Sequence, residues 1–179
     1  MSAALATIET NAHQALADLR DVLGVLREHR DAGSDSAPEP PQPGLADVPR
    51  LIEETEGLGT RIAYADSTAG QVPAGVGRTA YRIIQEALTN ARKHAPGATV
   101  SVRLSGAAPA GLRVEVANPR AVQPVDHALP RSGLGLLGLE ERVALAGGKL
   151  RHGTQAGGGY VVHAWLPWPE PARAGEGAR

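Results

Sequence analysis

Between positions 86 and 94 the chain sets out an acid, an amide, an amine and an imidazole, at Glu86, Asn90, Lys93 and His94. In a helix that advances about 100° per residue, these four side chains fall within about 100° of one another and share one face. The row suits a magnesium phosphate. An asparagine oxygen is a hard ligand, a lysine answers phosphate charge, and a carboxylate orients water or its neighbours. The same spacing also describes an ordinary solvated helix face, and spacing alone favours that plainer reading. His94 has its own plain reading, since a lone helix histidine is more often a satisfied structural residue than a ligand.

A second feature lies about forty residues on. Gly133, Gly135 and Gly138 remove side chains where a loop is expected to turn into a helix. Backbone N–H groups can then point at phosphate oxygens with the helix dipole behind them. The same glycines could simply permit a turn, and a glycine loop by itself is a weak signal.

Both features need elements to hold them. The row from Glu86 to His94 lies in a predicted helix spanning roughly Ala74 to Ala95, closed by Pro96 and Gly97. Ala80, Ile84, Ala87, Leu88 and Ala91 form its opposite, apolar face. A short helix over roughly Val48 to Leu58 and a strand from Thr60 to Ala65 precede it. Strands Thr99 to Leu104 and Leu112 to Ala117 follow as a hairpin around SGAAPAG. Asn118 to Ser132 holds three prolines and no apolar period, which reads as a loop. A helix from Leu136 to Ala146 ends at Gly147 and Gly148, and Lys149 to His152 pairs with Tyr160 to Leu166. From Pro167 onward the Pro, Gly and Ala content reads as a disordered tail.

The N-terminal part is different in kind. Residues 3–30 carry Leu5, Ile8, Ala12, Ala15, Leu19, Val22 and Leu26 at spacings of three and four, widened by Leu16 and Leu23. That stripe fits one helix of a multi-helix bundle, although a helix packed on its own domain would show much the same pattern. Pro, Ser and Gly then dominate a linker over residues 31–46. The expected domains are therefore a helix over 1–30, the linker, a folded domain over 47–168 and a tail over 169–179.

Bulk properties narrow the function. Eighteen Lys and Arg against nineteen Asp and Glu give a net charge of -1, with no basic block, so nucleic acid is a poor partner. The absence of Cys fits a reducing compartment, and six scattered His without HxH or HExxH spacing give little ground for zinc. No apolar run of about eighteen residues occurs, so a cytoplasmic chain without membrane contact is expected, whether or not a parent protein is membrane-anchored.

The run RIIQEALTNARKHA from Arg82 to Ala95 and the run SGLGLLGLEERV from Ser132 to Val143 resemble the N box and the glycine-rich box of the GHKL ATP-binding superfamily. The pairing of EALTNARKHA with GLLGLEERV is similar to sensor histidine kinases that signal to NarL-type response regulators. The resemblance implies an α/β sandwich, with three helices on one face of a mixed, largely antiparallel sheet. It further implies ATP and Mg²⁺ as cofactors, Asn90 as the metal ligand, Lys93 as a phosphate contact and His94 beside the phosphates. Glu86 would position Asn90 or a water, and Gly133, Leu134, Gly135, Leu136 and Gly138 would line the phosphate loop. One departure stands out. Where most of the superfamily carries an adenine-reading Asp in an Asp-x-Gly-x-Gly box, this chain has Asn118-Pro119-Arg120-Ala121. An amide oxygen can still accept a hydrogen bond, but without the charge.

A phosphoacceptor histidine is normally followed by an acid, whereas His13 precedes Gln14 and His29 precedes Arg30. The first helix instead resembles the second helix of the dimerisation bundle, so the chain is expected to be a catalytic fragment whose parent dimerises through that helix. Two rival functions stay open: a serine kinase of the anti-sigma-factor type, and a degenerate domain that serves as a dimerising or docking module.

Overall fold

The computed structural model of the protein describes residues 42–122 and 134–170. The expected helix over 3–30, most of the linker, the core of the loop, Gly133 and the tail beyond Glu170 lie outside the described residues.

The domain opens with a short 3-10 turn, Leu45–Asp47, in which the Gly44 N–H donates to Asp47 Oδ2 at 2.8 Å. Leu45 packs against the core, so this stretch, expected as linker, is part of the folded domain. Helix α1 (Val48–Gly57) follows with Pro49 in its first turn, where the missing N–H costs nothing, and buries Val48, Leu51, Ile52 and Thr55. Strand β1 spans Arg61–Ala69, and helix α2 spans Ala74–His94. Strands β2 (Thr99–Ala107) and β3 (Gly111–Asn118) form the expected hairpin. Helix α3 (Leu134–Leu145), β4 (Lys149–Thr154) and β5 (Tyr160–Leu166) complete the fold.

The five strands run in the order β1-β2-β3-β5-β4. β1 pairs with β2 in parallel and the other three pairings are antiparallel, which is the mixed sheet the resemblance implies. Alternation sorts the strands into two faces. Val100, Val102 and Leu104, Leu112, Val114 and Val116, and Val162, Ala164 and Leu166 all turn toward the helices and are 5% exposed or less. Their neighbours, including Arg103, Arg113, Lys149, Arg151 and His163, point the other way and stay accessible. Ala80, Ile83, Ile84, Ala87, Leu88 and Ala91 of α2 meet the apolar face, joined by Leu139 and Val143 of α3.

Several boundaries differ from the sequence expectation. β1 continues four residues past Ala65, through Asp66, Ser67 and Thr68. As an edge strand it is held by backbone pairing to β2 and has no need of apolar side chains there. The segment from Pro167 is not wholly a tail, because Trp168 is 3% exposed and sits in the core. One indole buries enough apolar surface to hold a stretch whose composition otherwise favours disorder. Finally, α3 begins at Leu134 rather than Leu136. Its end matches expectation: Gly147, at φ +71°, donates to Ala144 O and Gly148 donates to Val143 O, the paired bonds of a glycine-terminated helix.

Candidate functional site

The apolar face of α2 is fixed in the core, so its other face is set by geometry. Glu86, Asn90 and Lys93 are half-buried there, and His94 is exposed at the helix end. Asn90 Nδ2 donates to Glu86 Oε1 at 3.1 Å, the i to i+4 reach of one helical turn. That bond commits the amide nitrogen and leaves the amide oxygen as the acceptor of Asn90. Arg92, Lys93 and His94 occupy the last turn, where the helix dipole favours cations, and the Ala95 N–H closes the turn on Ala91 O at 2.7 Å.

The glycine segment meets this face directly. A Cβ placed on Gly135 would overlap Glu86 Oε1 and lie 2.7 Å from its Cδ. A side chain at Gly135 would therefore require the Glu86 carboxylate, the end of a flexible side chain, to move aside. The carboxylate in turn lies where the helix dipole favours negative charge. Leu136 is half-buried against the core. The backbone of Leu134 starts the helix, while its side chain and Gly133 lie outside the described residues.

Gly138 departs from expectation. It lies in the second turn of α3, beyond the four N–H groups that a helix start leaves free, so its amide belongs to the helix. A Cβ there would meet nothing within 4 Å, so no close contact demands a glycine. Reading the three glycines as one loop placed the helix start two residues too late.

Asn118 closes β3 at the same end of the sheet. Its Nδ2 donates to Pro119 O at 2.9 Å, which again leaves the amide oxygen as acceptor. The chain leaving β3 returns to the end of α2, where the Val122 N–H donates to Pro96 O at 3.2 Å. Thus Asn118, the polar C-terminal half of α2 and the first turn of α3 are brought to one side of the domain. The arrangement has an amide and a carboxylate side by side, a cation one turn on, the Gly135 backbone opposite and an amide acceptor at the strand end. These groups fit a magnesium nucleotide. Magnesium keeps water and substrate phosphates among its ligands and takes only one or two protein oxygens, and the glycine gap leaves backbone open to an anion.

Sequence reasoning missed one further group. Glu140 of α3, His152 of β4 and Tyr160 of β5 are hydrogen-bonded in series at the same end. Period-two alternation puts His152 and Tyr160 on the helix-facing side with Leu150 and Val162, which was the available signal.

Comparison with known proteins bears on this geometry. The family model described as histidine kinase-, DNA gyrase B-, and HSP90-like ATPase matches residues 75–170. The sensor histidine kinase LnrJ of Bacillus subtilis (strain 168) is 28% identical over 160 residues, covering 87% of this chain and 36% of that protein. The chain thus spans little more than a third of that relative. Among solved structures, the histidine kinase domain of the EL346 blue-light activated histidine kinase from Erythrobacter litoralis superposes with a TM-score of 0.54 at 26% identity. That match covers 76% of this chain and 66% of the other. Full-length ShkA in complex with AMPPNP shares the fold with a TM-score of 0.59 at 24% identity, covering 87% of this chain and 36% of that one.

Proposed function

From the histidine kinase-, DNA gyrase B-, and HSP90-like ATPase family, to which this chain belongs, we propose that it is the ATP-binding catalytic part of a sensor histidine kinase, passing the γ-phosphate of Mg-ATP to a histidine on another segment. The observation that carries this reading is the close approach of Gly135 to Glu86, which joins the Asn90 face of α2 to the start of α3 with no side chain between.

Asn90 would hold the metal through its amide oxygen, with Glu86 fixing the amide through the 3.1 Å bond. Bound Mg²⁺ supplies neutralisation of charge on the phosphates. Lys93 brings a further positive charge, and His94 lies at the rim of the same face. Amides of the first turn of α3, at Leu134, Gly135 and Leu136, offer donors to phosphate oxygens, with Gly133 preceding them. Asn118 accepts from the base. Catalysis in such a site is positioning together with electrostatic stabilisation, and the chain's task is to hold the nucleotide still while an acceptor approaches. The acceptor imidazole, a dimer partner joined through residues 1–30 and a NarL-type response regulator belong to the wider protein in this reading. Among the described residues no helix is long and apolar enough to cross a membrane.

A second reading is favoured by Asn118 and Pro119: a domain that has lost nucleotide and keeps its shape as a docking module. Phosphotransfer in trans separates the two. The chain is mixed with labelled ATP and a separate dimerisation bundle bearing a histidine followed by an acid. Acid-labile label should appear on the bundle and not on this chain. Label on neither, with no heat of Mg-ATP binding, would sink the kinase reading in favour of the docking module, and stable phosphohistidine on this chain alone would refute the fragment assignment.

A further inference from the structure

We propose that Glu140, His152 and Tyr160 form a positioning relay that fixes helix α3 to the start of β5 beside Asn118, so that grip on the phosphates depends on a link made at the base end of the cleft. The inference rests on the nucleotide reading above and deepens it.

The relay spans three elements. His152 Nδ1 lies 2.6 Å from the Tyr160 hydroxyl oxygen, and His152 Nε2 lies 3.1 Å from Glu140 Oε1. With its proton on Nε2, the imidazole donates to Glu140 and accepts from the Tyr160 hydroxyl, so both ring nitrogens are engaged and the ring cannot turn without losing a bond. The two rings lie 6.0 Å apart at 32°. The Tyr160 phenol is pushed up from its ordinary pKa, by burial first and by the Glu140 charge second.

Each end of the relay reaches one part of the proposed site. Tyr160 stands directly opposite Asn118 in the pairing of β5 with β3. Opposed residues of an antiparallel pair have Cβ atoms about 4.5–5.5 Å apart on the same face, so Tyr160 anchors the stretch of β5 that flanks Asn118 while its hydroxyl reaches across to His152 of β4. At the other end, Glu140 lies on the helix whose first turn presents Gly135 to Glu86. The apolar contacts of Leu139 and Val143 set which face of α3 meets the sheet, and the Glu140–His152 pair adds a directional tie from its accessible side. The side chains of His152 and Glu140 are 26% and 46% exposed. A pair this accessible adds little to stability, so its effect belongs in the placement of α3 rather than in the melting temperature.

The test compares four substitutions in the full chain: His152→Ala, Glu140→Ala, Glu140→Gln and Tyr160→Phe. Two quantities are read, affinity for Mg-ATP against affinity for adenosine, and hydrogen exchange of the amides of residues 134–145 without nucleotide. His152→Ala and Glu140→Ala should weaken Mg-ATP by about 3- to 5-fold and adenosine by less than about 2-fold, the size expected for losing an accessible pair worth up to about 1 kcal/mol. Exchange in the first turns of α3 should quicken in both. Tyr160→Phe keeps the ring and its packing, and should weaken Mg-ATP by about 3-fold. Glu140→Gln still offers an oxygen to Nε2–H and should stay within about 2-fold of the native chain. Equal losses for Mg-ATP and adenosine, or unchanged exchange across α3, would overturn the relay. Failure of the native chain to bind either ligand would instead sink the nucleotide reading, while the exchange data would still decide whether the three side chains fix α3.

Discussion

The two ends of the proposed cleft are built on different terms. At the phosphate end, two helices approach so closely that the Gly135 backbone lies against the Glu86 carboxylate, and Asn90 is held by a bond within its own helix. At the base end, a strand finishes in a neutral amide followed by proline, and the opposed residue is a bulky phenol tied to His152. The first end carries, at Glu86, Asn90 and Gly135, the residue types that the superfamily resemblance implies. The second departs from it at the position that usually carries charge. Affinity in this chain should therefore reside mainly in the triphosphate and metal, and base discrimination should rest on neutral hydrogen bonds and shape, which are individually weaker.

That contrast can be broken from either side. Asn90→Ala removes the proposed metal ligand and should weaken Mg-ATP by about 100-fold, the upper range for a bond to a charged group, with the fold intact by circular dichroism. A loss below about 3-fold would move the weight of binding away from the phosphate end. Gly135→Ala forces either Glu86 or the start of α3 to shift. Because the obstructing atoms end a flexible side chain, stability in denaturant unfolding should fall by no more than about 1 kcal/mol, whereas Mg-ATP affinity should fall by about 10-fold as Glu86 leaves Asn90. Unchanged Mg-ATP affinity would mean that the approach of α3 to α2 is not required.

The base end should respond in the opposite direction. Asn118→Asp restores a charged acceptor, and the difference between charged and neutral hydrogen bonds corresponds to about 5-fold tighter ATP with little change for GTP. Equal tightening of both nucleotides would show that position 118 does not read the base. The smallest effect concerns the phenols. Tyr64, Tyr81 and Tyr160 all have raised pKa values, Tyr64 at about 12 because of burial and then the nearby Asp66 charge. Their protonated forms are favoured in the folded state. The associated stability is complete below pH 10 and is lost as pH rises through the raised values. Phenolate absorbance in the folded chain should accordingly lag behind that of the unfolded chain. A phenol titrating below its ordinary value would contradict the environment described for Tyr160.

Much of this was readable from residue order. The helix carrying Asn90 was visible because its apolar positions repeat at helical spacing over six turns and proline with glycine stops it. Helix α3 was half legible: its glycine terminator was clear, but Gly135 and Gly138 concealed where it begins, since glycine signals a loop locally while the packing against Glu86 is a tertiary demand. Asp66, Ser67 and Thr68 hid the end of β1, because an edge strand draws on its neighbour's backbone. Trp168 hid among Pro167, Pro169 and Pro171, where composition argued for disorder and one large side chain decided otherwise. The chain Glu140, His152, Tyr160 could not be assembled at all from sequence, since three elements must fold before the imidazole has two partners.

The central claim is spatial, that Asn90 and the start of α3 close on the phosphates of one nucleotide. A crystal of the full chain grown with Mg²⁺ and a non-hydrolysable ATP analogue tests it most directly. The account predicts metal density on the Asn90 amide oxygen and phosphate oxygens within hydrogen-bonding distance of the amides around Gly135. Phosphates bound elsewhere, or an empty cleft at saturating analogue, would contradict it.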